Sequence, residues 1–172
     1  MKARGVGIVA ACVLAVLPRS AEALEVSGGV SVGGIMAGVV PRFALSPHVG
    51  LSWRTESGFL FEVHELASIL PLRGVGVFSA TSIAIGYASE RATFSAGPSL
   101  AAYSMTACGD VVCGRLVGLA PGGHAAATFY FAGPLGVTIN ANATWVGGDS
   151  LVLPGGVAVM IVAGPVLRWR SE

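Results

Sequence analysis

Between Gly136 and Val146 the chain alternates without a break: Val137, Ile139, Ala141, Ala143 and Trp145 are apolar, and Thr138, Asn140, Asn142 and Thr144 between them are polar and uncharged. A period of two is a strand's period, because successive side chains leave opposite faces of the pleat. A half-buried strand of a soluble protein usually carries Lys or Glu on its outer face. Here the polar face holds only groups that hydrogen-bond among themselves or with trapped water, and a Trp ends the apolar face. That combination is expected where one face meets lipid and the other a narrow polar lumen, which points to a membrane-spanning β-barrel.

The start of the chain sets the expected compartment. Lys2 and Arg4 precede an apolar run, Gly5 to Leu17, too short to span a bilayer, and Ala21-Glu22-Ala23 follows as a small-x-small cleavage site. Together these describe a secretory signal peptide over residues 1–23, leaving 24–172 as the mature domain. A lipoprotein box at Val9-Ala10-Ala11-Cys12 would leave an apolar run of only about seven residues, at the low end of what a signal needs.

Removing Lys2, Arg4, Arg19 and Glu22 lowers the net charge from the +1 of the whole chain to about −1. The mature part has Arg but no Lys, and its few charges are scattered singly. No electrostatic footprint for nucleic acid exists, and no charged tail recruits a partner. Roughly 150 residues with no shift of composition suit a single domain.

With only 11% charged residues, a bundle of transmembrane helices is the competing idea. Uncharged stretches such as Ala92 to Gly109 and Leu116 to Gly148 do reach spanning length, yet they alternate and are rich in Gly, Pro, Ser, Thr and Asn. With Gly at 25 of 172 positions, and each costing about 1 kcal/mol in a helix relative to Ala, helices throughout are disfavoured.

Alternation of the same kind recurs along the mature chain. Val26, Val30, Val32 and Met36 oppose Glu25, Ser27 and Ser31, and Val49, Leu51 and Trp53 oppose His48, Ser52 and Arg54. Phe59, Phe61 and Val63 then oppose Leu60, Glu62 and His64, and further strands are expected at Val75 to Tyr87, Ala92 to Met105, His124 to Phe131, Gly136 to Val146 and Val157 to Trp169. Short turns are expected at Thr55–Gly58, Ala88–Arg91 and Ala132–Pro134. Longer connections are expected at Ala37–Ser46, Pro71–Gly74, Thr106–Gly114 and Gly147–Gly155. Eight strands with turns alternating long and short predict an all-β, antiparallel up-and-down barrel with its tight turns in the periplasm. Trp53, Phe59, Tyr87, Phe94, Phe129, Tyr130, Phe131 and Trp169 fall beside the short turns, as an aromatic girdle at one membrane interface would.

On strand length, turn alternation and girdle, the sequence resembles the small eight-stranded outer-membrane barrels of Gram-negative bacteria. The resemblance implies a location in the outer membrane. Barrels of this type commonly finish on an aromatic residue, whereas here Trp169 is followed by Arg170-Ser171-Glu172. Pro98 and Pro165 fall inside expected strands, each in the triplet Ala-Gly-Pro that recurs at Ala132, and each is expected to mark a bulge or a strand break.

An eight-stranded barrel is only wide enough for side chains to fill, which disfavours an open pore. If the outward residues of the second and third strands pair, His48 comes close to opposite His64 with Glu62 on the same inward face. Two His and a carboxylate could bind a metal or act as acid and base. No third His or Cys lies at ligand spacing, so a hydrogen-bonded plug is the expected role, and His124 stands alone. No nucleophile motif is present, no cofactor or metal site is assigned, and no enzymatic activity is expected.

Cys108 and Cys113 enclose a short loop, and in an oxidising compartment they are expected to form a disulfide worth about 2–3 kcal/mol in the chain-entropy model. The functional expectation is a non-enzymatic outer-membrane barrel, in contact with membrane lipid, that supports envelope integrity or surface contact through extracellular loops. A soluble periplasmic barrel for a small apolar ligand and a lipid-modifying enzyme are the alternatives.

Overall fold

The computed structural model describes residues 23–37, 40–70, 76–108, 113–150 and 153–170. The expected signal peptide, apart from Ala23, and the connection through Pro71 to Gly74 lie outside the described residues. Eight strands follow one another: β1 (Ala23–Ala37), β2 (Val40–Arg54), β3 (Phe59–Leu70), β4 (Gly76–Ala88), β5 (Ala92–Cys108), β6 (Cys113–Ala132), β7 (Leu135–Ser150) and β8 (Leu153–Arg170). Each pairs antiparallel with its neighbours in sequence, and β1 pairs with β8 to close the barrel. Among the described residues no helix is long and apolar enough to cross a membrane.

The period-two reading of the faces is met. Val30, Val49, Ile85, Leu100, Ile139 and Ile161 are exposed on the outer wall, while Ser31, His48, Ser82, Ser99, Asn140 and Val162 are buried inside. The start of β1, the end of β8 and the turns Thr55–Gly58, Ser89–Arg91 and Gly133–Pro134 lie at one end, called here the near end. Gly58 and Gly133 have φ of 83° and 57°, a conformation that L side chains rarely adopt.

The long connections differ from expectation. The stretch Ala37–Ser46 is mostly the first half of β2, paired with β1 from Ala37↔Val40 onwards. Much of Thr106–Gly114 and Gly147–Gly155 is likewise strand, with Cys108↔Cys113 and Ser150↔Leu153 as the last pairs of their hairpins. Pro and Gly broke the alternation in the sequence, but a strand needs only one paired edge to persist.

The prolines follow one rule, and it replaces the expected bulges. Pro47, Pro98 and Pro165 each stay in register with one neighbour, at Val30↔Pro47, Pro98↔Gly123 and Val137↔Pro165. On the other side the ladder skips two positions and resumes in the same register, as from Ser82↔Ser99 to Ile85↔Ala96. The missing N–H costs bonds locally without shifting the pairing. Pro121 pairs with Leu100, and the β6–β7 ladder begins beside it at Gly122↔Thr144. The register shifts that do occur lie between Tyr130 and Ala132 and between Val146 and Asp149.

Candidate functional site

Side chains fill the interior at three levels. At the far end Ile35, Leu66, Leu70, Phe78, Tyr103, Met160 and Val162 form an apolar cluster, with Phe78 at 1% exposure. The simple rule of apolar out and polar in fails here. The far end of the lumen is sealed by hydrocarbon and aromatic side chains rather than by hydroxyls and amides, as in the core of a water-soluble protein.

Below this cluster lies a polar level. His48 and His64 do not sit directly opposite, because the register is Gly50↔His64 and His48↔Leu66; their rings meet diagonally, 5.7 Å between centroids. His64 also stacks on His124, at 4.8 Å and 22° between planes. Since β3 and β6 are separated by two intervening strands, the row of three imidazoles spans the lumen. His124 is thus not alone, and only barrel closure reveals its partner. The stacked rings direct their faces, not their nitrogens, at one another. Among the described residues no group of three or more His, Cys, Asp or Glu is arranged to hold a metal.

Glu62 accepts a hydrogen bond from Ser95 Oγ at 2.7 Å and belongs to the level beneath the histidines. Ser31 Oγ lies 3.4 Å from His48 Nδ1, and His48 Nε2 has no hydrogen-bond partner within the protein. Asn140, Thr144 and Ser99 also keep buried polar atoms without protein partners. This level is therefore lined by amide, hydroxyl and imidazole groups of the kind that buried water commonly bridges.

At the near end, Glu25 is 2% exposed and joins β1 to β8. Arg170 donates to Glu25 Oε1 through Nε at 2.7 Å and also through its second terminal nitrogen, and Arg168 lies 3.9 Å from Oε2. The Arg168 guanidinium covers the Tyr130 ring at 3.8 Å from its centroid. None of these contacts was drawn from the sequence, although Glu25, Arg168 and Arg170 all fall on inward positions.

Of the eight girdle residues, Phe59, Tyr87, Phe94, Phe129, Phe131 and Trp169 are exposed near the short turns. Phe59↔Tyr87 and Tyr87↔Phe94 are direct cross-strand partners, and Phe94 meets Phe129 edge-on at 5.6 Å. Tyr130 departs from that ring at 8% exposure, while Trp53 shares the outward parity of Val49 and is 6% exposed because neighbouring side chains cover it. Trp53 lies on Phe61, and Tyr130 takes an inward position where Arg168 covers it. Phe43 and Trp145 are exposed toward the far end, and the sequence reading did not include them in a girdle.

Cys108 and Cys113 face one another in the backbone register of the β5–β6 hairpin, while their side chains lie outside the described residues. Glu65 departs from the apolar wall: it shares the outward parity of Val63 and Ile69, and Ser79 and Thr81 on β4 donate hydrogen bonds to its two carboxylate oxygens. A carboxylate facing hydrocarbon is unfavourable, and the two hydroxyls only partly offset that cost. Glu65→Leu should therefore raise stability by about 1 kcal/mol in lipid vesicles. Urea unfolding that leaves the variant equal to or weaker than the parent would contradict a lipid-facing site.

Neither a family model nor a curated protein sequence matches the chain. Solved structures do. Neisserial surface protein A aligns at TM-score 0.55 and 10% identity, covering 86% of this chain and 99% of that one. The N-terminal β-barrel domain of Pseudomonas aeruginosa OprF gives 0.55 and 9%, covering 87% and 98%. Ail, the attachment invasion locus protein of Yersinia pestis, solved with the heparin analogue sucrose octasulfate, gives 0.56 and 10%, covering 86% and 98%. At such identities the likeness concerns backbone architecture. The chain has the fold of the small eight-stranded outer-membrane barrels.

Proposed function

We propose that the mature chain is a non-conducting, non-enzymatic outer-membrane barrel that strengthens the envelope and presents its far-end hairpins at the cell surface. The observation that carries this reading is the filled interior. An apolar cluster around Phe78 and Met160 seals one level and a row of three histidines crosses the next, so the lumen suits a wall element better than a conduit. An outer surface bearing Ile85, Leu119, Phe131 and Trp145, each more than half exposed, suits lipid and opposes a soluble barrel with its apolar faces turned inward.

The β5–β6 hairpin is the element best suited to surface contact. Its strands have 17 and 20 residues, and Cys113–Pro121 is paired with β5 beyond the point where the β6–β7 ladder begins. A disulfide between the facing Cys108 and Cys113 would stiffen its tip.

Extraction from Gram-negative cells should require detergent, and boiled and unboiled samples should migrate differently on gels. An epitope inserted between Gly109 and Asp110 should be reached by antibody on intact cells, and one placed after Gly133 only after permeabilisation. Planar bilayers should show no steady conductance. Extraction into buffer alone, or an open channel, would overturn the proposal.

A further inference from the structure

At the near end a cavity of about 530 Å³ opens between two turns and the end of β8, lined by Glu90, Arg91, Tyr130, Phe131, Gly133 and Arg168. Its frame is fixed by backbone bonds. Tyr130 N donates to Arg91 O at 2.7 Å, tying the β4–β5 turn to β6, and Arg168 N donates to Pro134 O at 2.9 Å, tying β8 to the β6–β7 turn. The Arg168 guanidinium is held in place by the Tyr130 ring beneath it and by a 3.4 Å hydrogen bond that it donates to the Glu90 carbonyl.

The charged residues lining this cavity are Arg91, Arg168 and Glu90. Glu25 is shared between Arg170, which takes its hydrogen bonds, and Arg168 at 3.9 Å, so Arg91, Arg168 and Arg170 face two carboxylates, Glu25 and Glu90, and this end of the barrel keeps an excess of positive charge. Phe131 is 72% exposed and lies on the outward, apolar side of the cavity, with Phe129 and Leu135 also exposed on the wall nearby. A ligand that fits therefore carries an anionic group, a nearby cation and hydrocarbon. Arg168 Nη1 is buried on the Glu25 side and its other terminal nitrogen donates to the Glu90 carbonyl, so Arg168 offers the cavity its charge and one remaining N–H while Arg91, on the exposed turn, supplies the freer guanidinium for a phosphate.

We propose that this cavity binds the head group of a glycerophospholipid whose phosphodiester is joined to an ammonium. The phosphate meets Arg91 and Arg168, the ammonium meets Glu90, and an acyl chain lies against Phe131. A free phosphate shares the anionic chemistry but leaves Glu90 and Phe131 without a role. The inference rests on the barrel being embedded in a membrane, and the detergent-dependent extraction described above tests that premise separately.

Native mass spectrometry of the detergent-solubilised mature barrel, dosed with phosphatidylethanolamine or phosphatidylglycerol, reads lipid occupancy directly. The parent should retain phosphatidylethanolamine in preference to phosphatidylglycerol, and millimolar inorganic phosphate should not displace it. Arg91→Ala, on an exposed turn, should weaken retention about tenfold, with heat-modifiable gel mobility reporting that the barrel is intact. Glu90→Gln should erase the preference between the two lipids. Equal retention by Arg91→Ala and the parent overturns the site. Displacement by inorganic phosphate, or a preference unchanged in Glu90→Gln, overturns the head-group assignment. A barrel that needs detergent yet fails these tests retains its membrane reading and loses only this inference.

Discussion

Gly97→Ala and Gly164→Ala are each expected to destabilise the barrel by about 3 kcal/mol, or to prevent its assembly. A Cβ at Gly97 would lie 2.0 Å from the Ile83 carbonyl oxygen, and one at Gly164 would lie 2.2 Å from that of Val30. Both obstacles are backbone, which cannot swing aside as a long side chain does. Each glycine precedes a proline, and each clash falls where the proline has interrupted the ladder. The strand there approaches its neighbour through Cα rather than through an N–H.

Two other glycines serve as controls. A Cβ at Gly123 would meet only the Gly97 carbonyl, at 3.9 Å, so Gly123→Ala should change stability by less than about 0.5 kcal/mol. Gly133 is the middle residue of the Ala132-Gly133-Pro134 triplet, in a turn with open space around it. Its φ of 57° alone should make Gly133→Ala cost about 1 kcal/mol. Urea titration in lipid vesicles measures all four variants. Equal stabilities for the Gly97 and Gly123 variants would refute the close-approach account.

Glu25→Ala should also cost about 3 kcal/mol, for an electrostatic reason. Breaking a buried ion pair by removing one partner leaves the other uncompensated, a loss of about 3–5 kcal/mol. The lower figure applies here because the Arg170 side chain is 42% exposed and can turn to water, whereas that of Arg168 is only 12% exposed. The contact spans the seam where the first and last strands meet, in register at Glu25↔Arg170, so its loss should open the barrel from its chain ends. Removing the Arg170 charge as well should recover part of the loss, since fewer unpaired charges remain. Unfolding midpoints of the single and double variants test this. Glu25→Ala within about 0.5 kcal/mol of the parent would mean that the seam is held by its backbone ladder alone.

The sequence by itself determined the strands and their faces, because alternation is local: a residue's parity decides whether it looks at lipid or lumen before any partner is known. Val137 and Ile139 outside with Thr138 and Asn140 inside were readable in this way. The outward parity of Glu65 was readable too, although its hydroxyl partners were not. What the tertiary structure decided is how far each strand runs and what its inward residues meet. Val40 to Ser46 looks like a loop until β1 supplies a paired edge, and Pro98 looks like a break until β6 holds its other side.

Partners inside the lumen depend on register, strand count and closure acting together. Glu25 and Arg170 are 145 residues apart in sequence, and His124 approaches His64 across the interior. A single strand carries no information about what stands on the opposite wall. The faces were therefore legible in the order of residues, whereas the plug, the histidine row and the charged seam exist only once the sheet has closed on itself.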